Sequence, residues 1–281
     1  MQPELRPGIN DMGISRGAVE LLAMTLQGAL KRERVVTFGV QRIQAKAGDI
    51  RHILDKHSIY NHPCDGSPND VETVSQTTLF QLLGYGSVES IDFYPDEGPS
   101  LVLDLNLPLP PNIHANFDLV YDGGTMEHCF DPAQVLRNAA SLVAPAGVVI
   151  HHVPMNNWVD HGFYQFCPTL LFDFYEASGF IELKMKIHFM SGGKESYVDY
   201  DPACDPPIPY AFGGNKKVLA FFSAKRGPSS HQILLTSLIQ GRYRATFGGQ
   251  ASLTRGGRKG LMQRLRSSAR KRFFGWNAKR L

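Results

Sequence analysis

The chain has 281 residues, 43% hydrophobic and 20% charged, with a formal net charge of +3. This is enough for one large α/β domain with appendages, or two small domains, at the composition of an ordinary soluble globular protein. No stretch approaches the roughly 20 apolar residues of a membrane span, and the first residues lack the basic-then-apolar pattern of a secretory signal.

Residues 1–13 are rich in Pro and Gly and are expected to be poorly ordered. Ser15 is placed to cap a helix over 15–33, where Val19, Leu22, Ala23, Leu26 and Leu30 recur at helical spacing. Residues 34–39 (RVVTFG) carry the β-branched run of a buried strand. A helix is expected over 45–57, a loop of turn residues over 60–69, and a helix over 70–83 capped by Asp70. Short strands follow at 87–93, 100–105 and 117–121. The linker before the last of them holds three prolines and cannot be a central strand. Asp131-Pro132 opens a helix to about 143. Residues 147–153 form the next strand and 168–178 a helix. Two final strands, 180–190 and 216–224, flank a polar, Pro-rich segment that reads as a long insertion. The alternation predicts an α/β, Rossmann-like doubly wound sheet of seven mainly parallel strands with an antiparallel last strand.

Charge divides the chain. All 26 acidic residues precede residue 206, while residues 225–281 carry 14 of the 29 Lys and Arg. Three units follow: an N-terminal segment and helix (1–33), the α/β domain (34–224) and a basic extension (225–281). In the extension, Leu261, Leu265, Phe273 and Phe274 alternate with Arg264, Arg266, Arg270, Lys271 and Arg272. That mixture suits an anionic membrane surface. Nucleic acid is disfavoured because the body is acidic, and a solvated tail without a partner stays open. The four cysteines are far apart and read as free thiols. The expected location is cytoplasmic, with the tail at the inner membrane face.

The most informative stretch is 116–154, strand–turn–helix–strand, because open α/β sheets bind ligands where such strands end. Asp122, Gly123 and Gly124 lie just past the strand of 117–121, and Glu127 and His128 follow. His128 is a candidate general base or pocket-lining residue, or else Glu127 and His128 cap or brace the next helix. After the strand of 147–153 come Asn156, Asn157, Trp158, Asp160, His161, Tyr164 and Gln165. Amides, a carboxylate and aromatic rings suit a polar ligand such as a saccharide. Asp160-His161 offers an oriented base, with His161 the first choice. The alternative is a folded loop that covers the sheet. No metal is expected. His57, His62 and Cys64 lack a fourth ligand, and His151 and His152 point to opposite faces of their strand. No nucleophile elbow or phosphate-binding loop occurs.

Over about residues 34–224, and most closely over 92–179, this order resembles the class I S-adenosylmethionine-dependent methyltransferases. The segment FDLVYDGGTMEHCFDP is similar to the family's Asp-aliphatic-Val tract followed by Glu-His and a helix. The resemblance implies S-adenosylmethionine as cofactor and methyl transfer to a small polar acceptor, at an oxygen in preference to a nitrogen. It implies that Asp92 holds the ribose hydroxyls and Asp104 the adenine amine, with Asp122 and Gly123 beside them. Each Asp can instead cap a turn. The family ends its first strand with acid-x-Gly-x-Gly-x-Gly, whereas this chain has Thr37 to Arg42 with Gly39 alone. Two readings follow. Gln41 and Arg42 replace backbone contacts to the cofactor's amino acid, or the chain is a non-catalytic, methyltransferase-like binding protein that has lost cofactor use.

Overall fold

A computed structural model describes residues 13–27, 32–59, 74–202, 213–228, 238–241 and 279–280. Its strands are β1 (Arg34–Phe38), β2 (Ser87–Asp92), β3 (Leu101–Val102), β4 (Phe117–Asp122), β5 (Val143–Asn156), β6 (Phe180–Ser191), β7 (Lys194–Tyr200), β8 (Lys217–Arg226) and β9 (Lys279–Arg280). Its α-helices are α1 (Arg16–Leu26), α2 (Ala47–Lys56), α3 (Gln76–Leu82), α4 (Pro132–Leu142) and α5 (Pro168–Ala177). All strands join one sheet in the order β3-β2-β1-β4-β5-β8-β6-β7-β9.

The strands from β3 to β5 are parallel, and β8 runs antiparallel between β5 and β6. The order reverses between β1 and β4, and open α/β sheets bind their ligands in the crevice beyond the carboxyl ends of the strands at such a point. The doubly wound sheet with an antiparallel last core strand is the one the sequence predicts. Two strands extend it, β7 as a hairpin partner of β6 and β9 on the edge of β7. Residues 194–200 are therefore strand, not insertion. Gly192 (φ 54°) and Gly193 (φ 74°) make the two-residue turn that pairs them with β6.

Alternate side chains feed opposite cores, as the two-residue period of a strand requires. Val35, Leu119 and Tyr121 pack with Leu21 and Leu22 of α1, Ile50 and Ile53 of α2 and Phe80 of α3. Val36, Val120 and Val149 pack on the other face with Val135 and Leu136 of α4 and Leu171, Phe174 and Tyr175 of α5. The N-terminal helix thus shares a core with the sheet. Ser15 caps it, accepting from Ala18 N at 3.2 Å. Asp118, inside β4, accepts the amides of Glu33 and Arg34 at 2.9 and 3.0 Å and fixes the start of β1.

Helix starts agree with their capping residues. Asp131 accepts from Gln134 N at 2.9 Å at the head of α4. Ser75, not Asp70, caps α3, accepting from Thr78 N at 3.0 Å. Asp70 lies outside the described residues, as do Cys64, His62, Cys204 and the basic aromatic run 261–274. Strand β3 stops at Val102 because Asp104 turns the chain, accepting from the amide of Asn106 at 2.8 Å. Among the described residues no helix is long and apolar enough to cross a membrane.

Candidate functional site

The crevice is bordered by the ends of β1, β2 and β4. Gly39 follows β1 in the left-handed region (φ 71°), where side chains are disfavoured. A Cβ there would stand 2.9 Å from Thr125 Oγ1 and 3.7 Å from Asp92 Oδ2, so the backbone of β1 meets both neighbouring loops at this one residue. Asp92, at the end of β2, is half-buried and faces the backbone on two sides. Its Oδ2 is 3.4 Å from Val40 N and its Oδ1 accepts from Tyr94 N at 3.2 Å. Phe93 and Tyr94 stand beside it, 56% and 64% exposed, with rings 4.9 Å apart and nearly perpendicular. Asp104 lies beyond β3, half-buried, with Oδ1 accepting from Asn106.

The place of the missing glycines is taken by Gln41. Its side chain is buried and donates to Phe38 O at 2.7 Å, and its amide donates to Gln76 Oε1 at 2.7 Å. A Cβ on Gly123 would stand 2.3 Å from Gln41 Oε1, so the two residues interlock across the crevice. Arg42 points outward and pairs with Glu97 at 3.0 Å. The expectation that Gln41 and Arg42 both turn toward a cofactor therefore meets a different arrangement. One side chain is folded back as structure and the other is held by a surface carboxylate.

Asp122 is fully enclosed. Its Oδ1 accepts from Thr125 N (2.9 Å) and Met126 N (3.3 Å), which shapes the 3-10 turn Met126–His128. Its Oδ2 is 2.8 Å from His151 Nδ1, and His151 Nε2 is 2.6 Å from Tyr175 Oη. Burial, aided by Asp122, pushes the Tyr175 hydroxyl well above the usual range. A buried Asp–His–Tyr chain thus ties β4 to β5 and α5 beneath the crevice.

That 3-10 turn carries Glu127 and His128 to the rim. Glu127 is 0% exposed, and neither carboxylate oxygen has a hydrogen-bond partner. Burial, then the Asp122 carboxylate, raises its acid well above the usual carboxylate range. Opposite lies the loop after β5. Phe163 N donates to Glu127 O at 2.8 Å, and a Cβ on Gly162 would stand 2.8 Å from that oxygen. This close approach sets His161 Nε2 3.5 Å from Glu127 Oε1. The His161 ring lies 5.0 Å from that of His128 and 4.8 Å from Trp158. Burial, then the neighbouring His161, lowers the pKa of His128.

The other loop residues divide by role. Trp158 is buried, with Nε1 donating to Val218 O at 3.1 Å, and Gln165 Oε1 accepts from Trp158 N at 3.1 Å. Asn157 (φ 64°) donates to the carbonyls of Gly214 and Lys216, both at 2.7 Å. Tyr164 donates to Phe130 O at 3.0 Å. These four hold the loop. Asn156 and Asp160 are exposed, and Phe130 (77%), Val159 (81%) and Phe163 (68%) form an apolar rim outside the two histidines. Beside Asp160 in sequence, His161 has the carboxylate of Glu127 3.5 Å from its Nε2 in the fold. The exposed aromatics Phe93, Tyr94, Phe130 and Phe163 were not singled out from the sequence. Their signal is large apolar side chains in segments otherwise made of turn residues.

No protein-family model and no curated protein matches the chain. Solved structures similar in fold include a phosphoethanolamine N-methyltransferase 2 of Haemonchus contortus complexed with S-adenosylhomocysteine. It is 10% identical with TM-score 0.40, and the match covers 74% of this chain and 52% of that one. They also include a SAM-dependent methyltransferase of Archaeoglobus fulgidus (14% identical, TM-score 0.37, 75% and 96% covered). A third is the 1,6-didemethyltoxoflavin-N1-methyltransferase of Burkholderia thailandensis (15% identical, TM-score 0.36, 75% and 79% covered). The chain spans about half the length of the Haemonchus protein. Likeness at this level gives no residue a role.

Proposed function

We propose that the chain transfers a methyl group from S-adenosylmethionine to an oxygen of a small polar acceptor, with a saccharide as the leading acceptor class. The observation that carries this reading is the convergence of Gly39 and Asp92 at the point where the sheet order reverses, since nucleosides of open α/β sheets bind there. Two features fit the group: a carboxylate at the strand end suited to two ribose hydroxyls, and the exposed rings of Phe93 and Tyr94 for a base to stack on, whereas the amide of Gly39 already donates to Ile91 O at 2.8 Å. This reading assigns the adenine amine to Asp104.

When bound, S-adenosylmethionine supplies a methyl group made electrophilic by its sulfonium. The chain's own work is to hold donor and acceptor in line and to deal with the acceptor's proton. In this reading that proton goes to His161, on the loop after β5, or to His128, on the turn after β4, whose rings lie 5.0 Å apart. Asn156, Asp160 and the apolar rim are the acceptor-facing surface in this reading.

A second reading is favoured by Gln41, which fills the space that glycines leave open to the cofactor in the family. There the chain binds a ligand or partner without catalysis. Calorimetry with S-adenosylhomocysteine separates the two. The first reading expects micromolar binding, weakened at least about tenfold by Asp92→Ala, a loss of about 1.4 kcal/mol. No binding heat for S-adenosylhomocysteine or S-adenosylmethionine leaves the second. For the basic extension we propose attachment to anionic lipid. Liposomes with anionic lipid should pellet the full chain but not a chain with Arg264, Arg266, Arg270, Lys271 and Arg272 changed to Gln, and equal pelleting would dismiss the role.

A further inference from the structure

We propose that Glu127, His128 and His161 form a binding site for a divalent transition-metal ion at the end of β4. One ligand atom from each residue lies within 4.8 Å of the others. Imidazole nitrogens and a carboxylate oxygen bind such ions at about 2.0–2.2 Å, which puts two ligands of a tetrahedral ion roughly 3.3–3.6 Å apart. His161 Nε2 and Glu127 Oε1 are 3.5 Å apart. His128 is the exposed member, so a rotation of its side chain closes the rest.

The independent pointer is Glu127. A fully buried carboxylate with no hydrogen-bond partner on either oxygen is costly in any fold. No Lys or Arg is paired with it among the described residues, and a bound cation supplies what the protein withholds. The surroundings are built to hold it in place. Gly162 lets the loop after β5 press on the Glu127 backbone, Phe163 N anchors it there, and Trp158 packs against the His161 ring. Two imidazoles and one carboxylate select zinc-like ions over magnesium and leave a fourth position open.

His161 shares the loop after β5 with Asn156 and Asp160, which the proposed function assigns to the acceptor, so the proposal rests on that reading of a methyl transfer to oxygen and deepens it. The ion would lower the pKa of an acceptor hydroxyl, and the two histidines would be ligands instead of bases. Metal binding can be tested without cofactor or acceptor, so its failure and that of the methyltransferase reading are distinguishable.

The full chain is stripped with a chelator and titrated with Zn²⁺ by calorimetry and with Co²⁺ by visible absorption. We expect one equivalent of each, with the Co²⁺ spectrum of a four- or five-coordinate site. Glu127→Gln and His128→Asn should each weaken Zn²⁺ binding more than about tenfold, while exposed His52→Gln leaves it unchanged. His128 is on the surface, so its variant keeps the test open should Glu127→Gln fail to fold. Absence of uptake by the stripped chain overturns the proposal. So does uptake that is unaltered in His128→Asn, or uptake of Mg²⁺ alone.

Discussion

At the scale of single residues, the site depends on close approaches that a sequence does not print. Gly162 is the clearest. A Cβ there would stand only 2.8 Å from the backbone oxygen of Glu127, which Phe163 N already holds by a hydrogen bond. Gly162→Ala should therefore destabilise the protein by about 1–3 kcal/mol, read as a lower urea midpoint at unchanged slope. A variant as stable as the parent would show that the loop does not rest on Glu127. The acids at strand ends were legible because their place follows from strand length. Their partners were not. Asp122 reads as a crevice residue from its position just past a strand, but His151 comes 29 residues later and claims it for the interior. Trp158 has the same lesson, since a carbonyl of β8 is its partner. Glu127 reads as a helix brace, and only the fold shows a buried carboxylate without a hydrogen bond, with His161 Nε2 3.5 Å away.

At the scale of elements, strands and helices were legible wherever periodicity and caps agree. Strand β7 was missed because Lys194 to Tyr200 is mostly polar and lies near the end of the sheet, where its outer flank meets only the two residues of β9. The Gly192-Gly193 turn was the available signal. What joins elements was less legible than the elements. The Asp122–His151–Tyr175 chain crosses from β4 through β5 to α5. Tyr175→Phe keeps the shape but leaves the buried His151 Nε2 unpaired, at a cost of about 1–3 kcal/mol in chemical denaturation. A neutral result would mean that water reaches the imidazole.

At the scale of the whole molecule, a second buried polar chain links the sheet to its first helix. His152 Nε2 is 3.1 Å from His188 Nδ1, and His188 Nε2 is 2.9 Å from Glu195 Oε2. That oxygen also accepts from Ser15 Oγ at 2.6 Å and Gly17 N at 3.1 Å. Burial, then the adjacent His188, brings His152 down from 6.5 to about 3. Burial alone would raise Glu195, but the hydrogen bonds from His188, Ser15 and Gly17 prevail and bring it from 4.5 down to about 2. Both folded values lie below the unfolded ones, so the unfolded chain takes up more protons as acid is added. The stability they hold is complete above pH 6.5. His152 forfeits its share between 6.5 and about 3, Glu195 between 4.5 and about 2. Glu127, whose pKa burial raises, works in the opposite sense, so the test is a comparison: from pH 7 to pH 4.5 the parent should lose stability to urea more steeply than a His152→Gln variant, the difference approaching about 1.4 kcal/mol per pH unit. Parallel profiles for parent and variant would show that His152 contributes nothing to the pH dependence.

The placement of β8 has a bearing on synthesis. It fills the gap between β5 and β6, yet it is the last of the three to leave the ribosome. Until Lys217 to Arg226 emerges, β5 has a bare flank and β6 has no neighbour on that side. The nascent chain must shield two sticky edges for the time it takes to translate more than sixty further residues after Asn156, about three to twelve seconds at ordinary elongation rates. Any accident that halts translation in that interval releases an unfinished sheet ready to pair with another like it.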